Sequence, residues 1–373
     1  MVQAGALAVA VALAQSPSPK ASFPSPAPAA VPSATTGLPP AKVVAIETLI
    51  GAAMTRLGIP GLSVAVVTER RLRWSAAYGA ADLENSVPTR PETVFRLASI
   101  TKPITATAVL QMVEAGKVDL DAPIQRYVPA FPEKQWPVTV RHLLSHQSGV
   151  RNWTDEEFHN TRRFANIAES LAVFKDDPLL FEPGSRTEYT SLGYNLLGAV
   201  VEGVSGKPFL DYLAERVFAP AGMVAARGDD VLAIIPNRAS GYQMSASGEL
   251  RNSALSDTSN RTAGGGLLAT AEDVARFVSA LQRGALLKSS TVQAAFGRQR
   301  TRQGKLTGFG LGWIIGETAG RTEVYHTGGQ PRVSTVLYMA PRSGLAVVLL
   351  CNLEGVSTPL LDLAREVAGA LLR

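Results

Sequence analysis

Strand-forming runs stand near both ends of this 373-residue chain, and helical spacing fills its middle. Leu62-Ser-Val-Ala-Val-Val67 and Leu72 to Tyr78 are apolar and rich in small or β-branched side chains, and the polar turn Thr68-Glu-Arg70 joins them. Strand character returns only at Gly310 to Ile315, Glu323 to His326, Ser334 to Met339 and Leu345 to Cys351. The region from Thr139 to about Arg227 is mostly helical in pattern, broken by Gly and Pro. Strands so far apart share a core only if the two chain ends build one sheet with a helical region inserted between them. Helical spacing in Lys42 to Leu57 (Val43, Ile46, Ile50, Met54, Leu57) and in Leu360 to Leu372 supplies flanking helices. The expected class is α/β of the α+β type, with no internal repeat.

The chemistry concentrates in Phe95-Arg-Leu-Ala-Ser-Ile-Thr-Lys-Pro103, where Ser99 and Lys102 stand three residues apart at the start of an apolar helix. Ile104, Ala108, Met112 and Val113 predict one buried face for that helix. Pro103 is tolerated in its first turn, because the first helical N–H groups lack intrahelical partners. Ser99 and Lys102 then project from one side, with Cβ atoms about 5–6 Å apart. The helix dipole favours a developing alkoxide on Ser99, and a lysine in a dry site can lose its proton and act as a base. A surface serine and lysine sharing a turn would give the same string, so the pair needs further support.

Two more segments offer it. Phe181-Glu-Pro-Gly184 through Tyr189-Thr-Ser-Leu-Gly-Tyr194 places Tyr189 in a loop just before a helix. A phenol whose pKa a nearby lysine lowers can relay protons to a leaving group. His326-Thr-Gly-Gly329 ends a short strand, and its glycines allow close backbone approach and offer N–H groups to an oxyanion. Singly, Tyr189 also reads as a core tyrosine and His326-Thr-Gly-Gly329 as a turn.

Together the chain resembles the serine β-lactamase/penicillin-binding-protein superfamily, in its class C-like branch and near the mitochondrial-type serine β-lactamase-like peptidases. The resemblance rests on the three segments above, on Leu143-Leu-Ser-His-Gln-Ser-Gly149 and on Ala263-Gly-Gly-Gly-Leu-Leu-Ala-Thr270, and it covers nearly everything from Lys42 onward. It implies an antiparallel sheet flanked by helices, an all-helical region on one side, and a site in the groove between. It further implies Ser99 as the acylated nucleophile, Lys102 as its base and Tyr189 as proton relay. Backbone N–H groups of Ser99 and Gly329 would form the oxyanion hole, with Thr327 and Gly328 beside them. Ser191 stands where asparagine is usual, and His326 where lysine usually reads a β-lactam carboxylate. A histidine near its ordinary pKa of about 6.5 carries only a fraction of a charge at neutral pH, which disfavours carboxylate recognition.

The expected activity is therefore hydrolysis of peptide or other amide bonds, or of esters, through an acyl-enzyme. Carboxylesterase and weak β-lactamase or DD-peptidase action are alternatives, and so is a peptide- or peptidoglycan-binding module that has lost turnover. The partner implied is a small-molecule or peptide substrate, with no cofactor; oligomeric state is open. His142, His146 and His159 read as structural, and Thr270-Ala-Glu-Asp273 as a helix start. No His/Cys/Asp/Glu cluster has metal-ligand spacing. The basic cluster Arg298 to Lys305 has no interleaved aromatics, so no nucleic-acid partner is expected.

The N-terminus reads separately. Gly5 to Leu13 is a short apolar run followed by Ala12-Leu-Ala14, so residues 1–14 are expected to be a signal peptide for a periplasmic or secreted protein. Residues 15–41 are rich in Pro, Ala and Ser and read as an unstructured tether, with 42–373 as the catalytic domain. No lipid-attachable cysteine follows the apolar run, so no permanent membrane anchor is expected; the sole cysteine is Cys351.

Overall fold

The computed structural model describes residues 31–373, so the expected signal peptide and the first part of the tether lie outside the described residues. Seven strands form one antiparallel path in the order Val31–Thr36, Arg71–Asp82, Gly61–Thr68, Leu345–Cys351, Val333–Ala340, Arg321–Gln330, Ile314–Thr318. The two chain ends meet at the pairing of Gly61–Thr68 with Leu345–Cys351, where Leu62 lies opposite Cys351 and Val67 opposite Ala346. The sheet built from both ends is thus the observed one.

Period-two alternation explains why these strands are apolar throughout rather than on one face. Val64 and Val66 pack into a core with the helices Pro40–Leu57 and Ser357–Leu372. Ala65 and Val67 point the other way, into a larger core shared with the helical region. Buried Cys351 belongs to the first core, and burial pushes its thiol up to about 12, so it packs as an inert apolar side chain.

Three expectations change. Tether composition was read as far as residue 41, but Val31–Thr36 already pairs with Arg71–Asp82 at the sheet edge, and the first helix opens at Pro40. Edge pairing uses backbone groups and needs no large side chains, so composition did not signal it. The helix Thr101–Glu114 is buried on nearly every face, not one, because its small Thr and Ala residues let neighbours close in all round. The middle is less helical than its pattern: turns and irregular backbone fill most of Ala172–Ser191. A small sheet also joins Phe95–Arg96, Leu267–Ala269 and Arg227–Gly228 there.

Candidate active site

The small sheet positions Ser99, the candidate nucleophile. Phe95–Arg96 pairs with Leu267–Ala269, and Leu97 N–H donates to the Leu267 carbonyl at 2.8 Å. Buried Arg96 is ion-paired to buried Asp229 at 2.7 Å. The chain then turns sharply: Ala98 sits at φ 49°, a left-handed conformation that costs a non-glycine residue about 1–2 kcal/mol. Thr335 Oγ1 clamps this turn by donating to the Leu97 carbonyl at 2.9 Å. Ser99 follows within the 3₁₀ turn Ala98–Ile100, half-buried at the head of Thr101–Glu114.

Lys102 is fully buried, 0% exposed. Its Nζ donates to the Gly264 carbonyl at 2.7 Å, lies 3.0 Å from Ser191 Oγ and 3.2 Å from Ser99 Oγ. Burial first, and the charge of Arg261 second, hold its pKa well below the ordinary lysine value. No carboxylate pairs with Lys102 among the described residues. The Lys102 amine lies 3.2 Å from the Ser99 hydroxyl, within reach of its proton.

Tyr189 is half-buried, its ring 4.8 Å from Lys102 Nζ, and its phenol lies beside the Ser99 and Ser191 hydroxyls. The expectation that the lysine lowers this phenol's pKa is corrected. Burial raises it and outweighs the lowering effect of both hydroxyls. Tyr189 therefore stays in its protonated form. Below it, buried His146 stacks at 4.4 Å and accepts from Thr190 N–H through Nδ1 at 3.2 Å, a scaffold role as the sequence suggested.

The strand Arg321–Gln330 forms the other wall. Its odd positions face the C-terminal helix: Glu323 pairs with Arg365 at 2.6 Å, and a Cβ on Gly329 would lie 3.1 Å from Ser357 Oγ. Thr327 shares that face by alternation. Its carbonyl does the local work, accepting from His326 Nδ1 at 2.7 Å, which fixes the Nε2 acceptor tautomer of a neutral imidazole. His326 is 2% exposed, and burial followed by Lys102 pushes its pKa down to about 3. At neutral pH it carries no charge, rather than the fraction its ordinary pKa implied.

Gly328 lets this strand touch the nucleophile turn. A Cβ there would lie 2.8 Å from the Leu97 carbonyl and 2.9 Å from Ala98 Cβ. Gly328→Ala is expected to push the strand off the turn, lowering kcat by about 10²-fold and stability by about 1–3 kcal/mol. Ester hydrolysis and thermal melting of that variant check it; wild-type activity would mean that the close approach is dispensable.

Several participants carried no signal read in the sequence. Gly264 was noted within a glycine run, but its role as acceptor for Lys102 depends on tertiary placement, and a Cβ on it would lie 2.8 Å from the Ser191 carbonyl. Asn152, in a loop without pattern, accepts from Ser191 N–H at 3.0 Å. Arg261, buried beside the glycine run, had no motif at all. His142 caps its helix with Thr139, and exposed His159 lies 3.6 Å from Asp155. His159 also lines a cavity of about 270 Å³ beside Gly329, with Phe158, Gln330 and Glu354. Thr270 caps Ala271–Gln282 through Asp273. Among the described residues no group of three or more His, Cys, Asp or Glu is placed to hold a metal ion.

The family model described as Beta-lactamase matches residues 46–371. The chain belongs to the beta-lactamase family. Within this family it is 30% identical over 426 aligned residues to human "Serine beta-lactamase-like protein LACTB, mitochondrial", covering 83% of this chain and 77% of that one. It is 34% identical to Esterase EstB of Burkholderia gladioli over 48% of this chain and 49% of the esterase. Among solved structures, D-amino acid amidase from Ochrobactrum anthropi SV3 superposes with a TM-score of 0.78 at 26% identity, covering 89% of this chain and 99% of the amidase. Beta-lactamase-family members are serine hydrolases, the esterase and the amidase among them.

Proposed function

We propose that this chain is a serine hydrolase that cleaves amide or ester bonds through an acyl-enzyme on Ser99. The observation that carries the reading is the fully buried Lys102 held 3.2 Å from Ser99 Oγ by the Gly264 carbonyl and Ser191 Oγ, where burial favours its uncharged form. Ser99 Oγ attacks the substrate carbonyl carbon as its proton passes to Lys102 Nζ. The tetrahedral oxyanion sits between the N–H groups of Ser99 and Gly329, at the head of a helical turn and beside the strand that Gly328 lets close in. The C–N or C–O bond breaks as the leaving group takes the Tyr189 phenol proton, which Lys102 replaces. Water then attacks the acyl carbon as it gives a proton to the lysine–tyrosine pair; the Ser99 Oγ–acyl bond breaks, Oγ takes that proton back, and the acid leaves.

Peptide or other amide substrates are the first choice and carboxylic esters the second; the amidase and esterase relatives support both. Reaction with a fluorophosphonate, followed by mass spectrometry, is expected to find the adduct on Ser99. An unlabelled serine in folded protein would favour a binding module without turnover.

Neutral His326 bears on substrate charge. A lysine in its place would offer a cation to a carboxylate, worth roughly tenfold to a hundredfold in binding. Slow nitrocefin turnover beside clear p-nitrophenyl ester hydrolysis is therefore expected. His326→Lys should raise the nitrocefin-to-ester ratio of kcat/KM by about tenfold or more; an unchanged ratio would show that this position does not set charge preference.

A further inference from the structure

We infer that the cavity beside Gly329 receives the acyl side of the substrate, and that Glu354 selects there for a positively charged acyl group such as a lysyl chain. The inference rests on the acyl-enzyme reading and adds a substrate class to it.

Direction along the strand comes first. The pairing of Ile314–Thr318 with Arg321–Gln330 stops where Ile314 lies opposite Tyr325. Among the described residues no strand covers positions 326–330 on that side, so a substrate can lie along this edge with its reacting carbonyl at Gly329. Tyr189, the leaving-group donor of the proposed mechanism, stands at the His326 end, with ring centres 6.1 Å apart. The leaving group therefore runs toward His326, and the acyl group toward Gln330 and the cavity of about 270 Å³ that Gly329 and Gln330 line. This cavity abuts the nucleophile turn: the Cβ position of Gly265 lies 3.3 Å from Gln330 Oε1 and 3.7 Å from the Ala98 carbonyl carbon. Gln330 is only 6% exposed, yet its Nε2 has no acceptor among the described residues. A buried donor left unpaired is disfavoured in a folded protein, and a carbonyl oxygen of the acyl chain would supply its partner.

Charge then decides the class. Glu354 is the carboxylate in the cavity wall, and no lysine or arginine lines it. Glu354 is half-buried, its Oε1 accepts from Arg332 N–H at 2.9 Å, and no cation is ion-paired to it among the described residues. Its backbone is fixed as well, Glu354 N–H donating to the Tyr242 carbonyl at 2.9 Å. His159, the other titratable residue of the wall, is exposed and lies 3.6 Å from Asp155. Buried Arg261 touches Phe158 through its carbonyl and its ring, so it opposes a cation from nearby without lining the cavity. Arg332 is three residues beyond Gly329, which puts the Glu354 carboxylate within about 10 Å of the oxyanion position along an extended chain. A lysyl side chain spans that distance from the scissile carbonyl.

The test is a charge series of p-nitrophenyl esters of Nα-acetyl-lysine, Nα-acetyl-norleucine and Nα-acetyl-glutamate, in both hands, corrected for spontaneous hydrolysis. In the wild type, kcat/KM is expected to fall in that order, the lysyl ester exceeding the norleucyl ester by about fivefold to tenfold in the preferred hand. Glu354→Gln keeps an oxygen for Arg332 N–H and removes the charge, so the lysyl-to-norleucyl ratio should drop to about one. Equal rates across the series, or a preference for the glutamyl ester, overturn the inference in the wild type alone, whether or not the variant folds. A lysyl preference that survives in folded Glu354→Gln overturns the role of Glu354. Failure to turn over any of the three esters while fluorophosphonate still labels Ser99 overturns this substrate class. An unlabelled Ser99 would instead overturn the acyl-enzyme reading, so the two failures are distinguishable.

Discussion

Ser99→Ala is expected to lower kcat/KM on any ester or amide substrate by at least about 10³-fold while the protein stays folded. The size follows from the absence of a substitute nucleophile: Lys102 is fully buried behind Ser99, and the Ser191 hydroxyl is engaged with Lys102. The small effect on stability follows from the local contacts. The alanine loses one 3.2 Å contact to Lys102 and keeps the Ala98 turn, which the Thr335 clamp and the Leu267 pairing hold independently of the hydroxyl. A melting temperature within a few degrees of wild type, together with lost fluorophosphonate labelling, is the expected result. Retention of most activity would place the nucleophile elsewhere.

Lys102→Met should lower acylation by about 10²-fold or more while leaving the melting temperature at or above that of the wild type. Activity falls because Lys102 Nζ is the amine beside Ser99 Oγ, burial keeps the Tyr189 phenol protonated, and among the described residues no carboxylate pairs with Lys102. Stability moves the other way by linkage. The unfolded lysine binds its proton up to a pH of about 10.4, whereas the folded one is held well below its ordinary value. Below the unfolded pKa the unfolded chain binds the extra proton, so this lysine favours unfolding increasingly as pH falls toward its folded pKa. Methionine removes that penalty and fills similar volume with apolar atoms, at the loss of the bond to Gly264. Melting at pH 6 and pH 9 tests the linkage: the gain over wild type should be larger at pH 6, and the reverse order would contradict a neutral buried lysine.

Much of this arrangement was legible in residue order. Apolar runs in Leu62–Val67 and Leu345–Cys351 read as strands of one sheet built from both chain ends, and those two segments pair with each other in it. Ser99 and Lys102 were legible because a helix start fixes their spacing locally. Tyr189 and His326 were legible as motif residues, but their protonation states were not. Both depend on how completely neighbours exclude water, which no local pattern encodes: the phenol moved opposite to expectation and the imidazole further than expected.

What the sequence alone determined, then, is the part governed by short-range geometry: which segments alternate, where the helix begins, and which serine and lysine share its first turn. Tertiary structure decided everything that needs distant segments to meet. It brought the Gly264 carbonyl to Lys102 across 162 positions of chain and the Thr335 hydroxyl to the Leu97 carbonyl across 238. It buried Arg261 without a carboxylate and set the strand carrying Gly328 against the nucleophile turn. The reason is physical: spacing along a helix or strand is fixed by backbone dihedrals, whereas a buried group's charge state is set by every atom that replaces water around it.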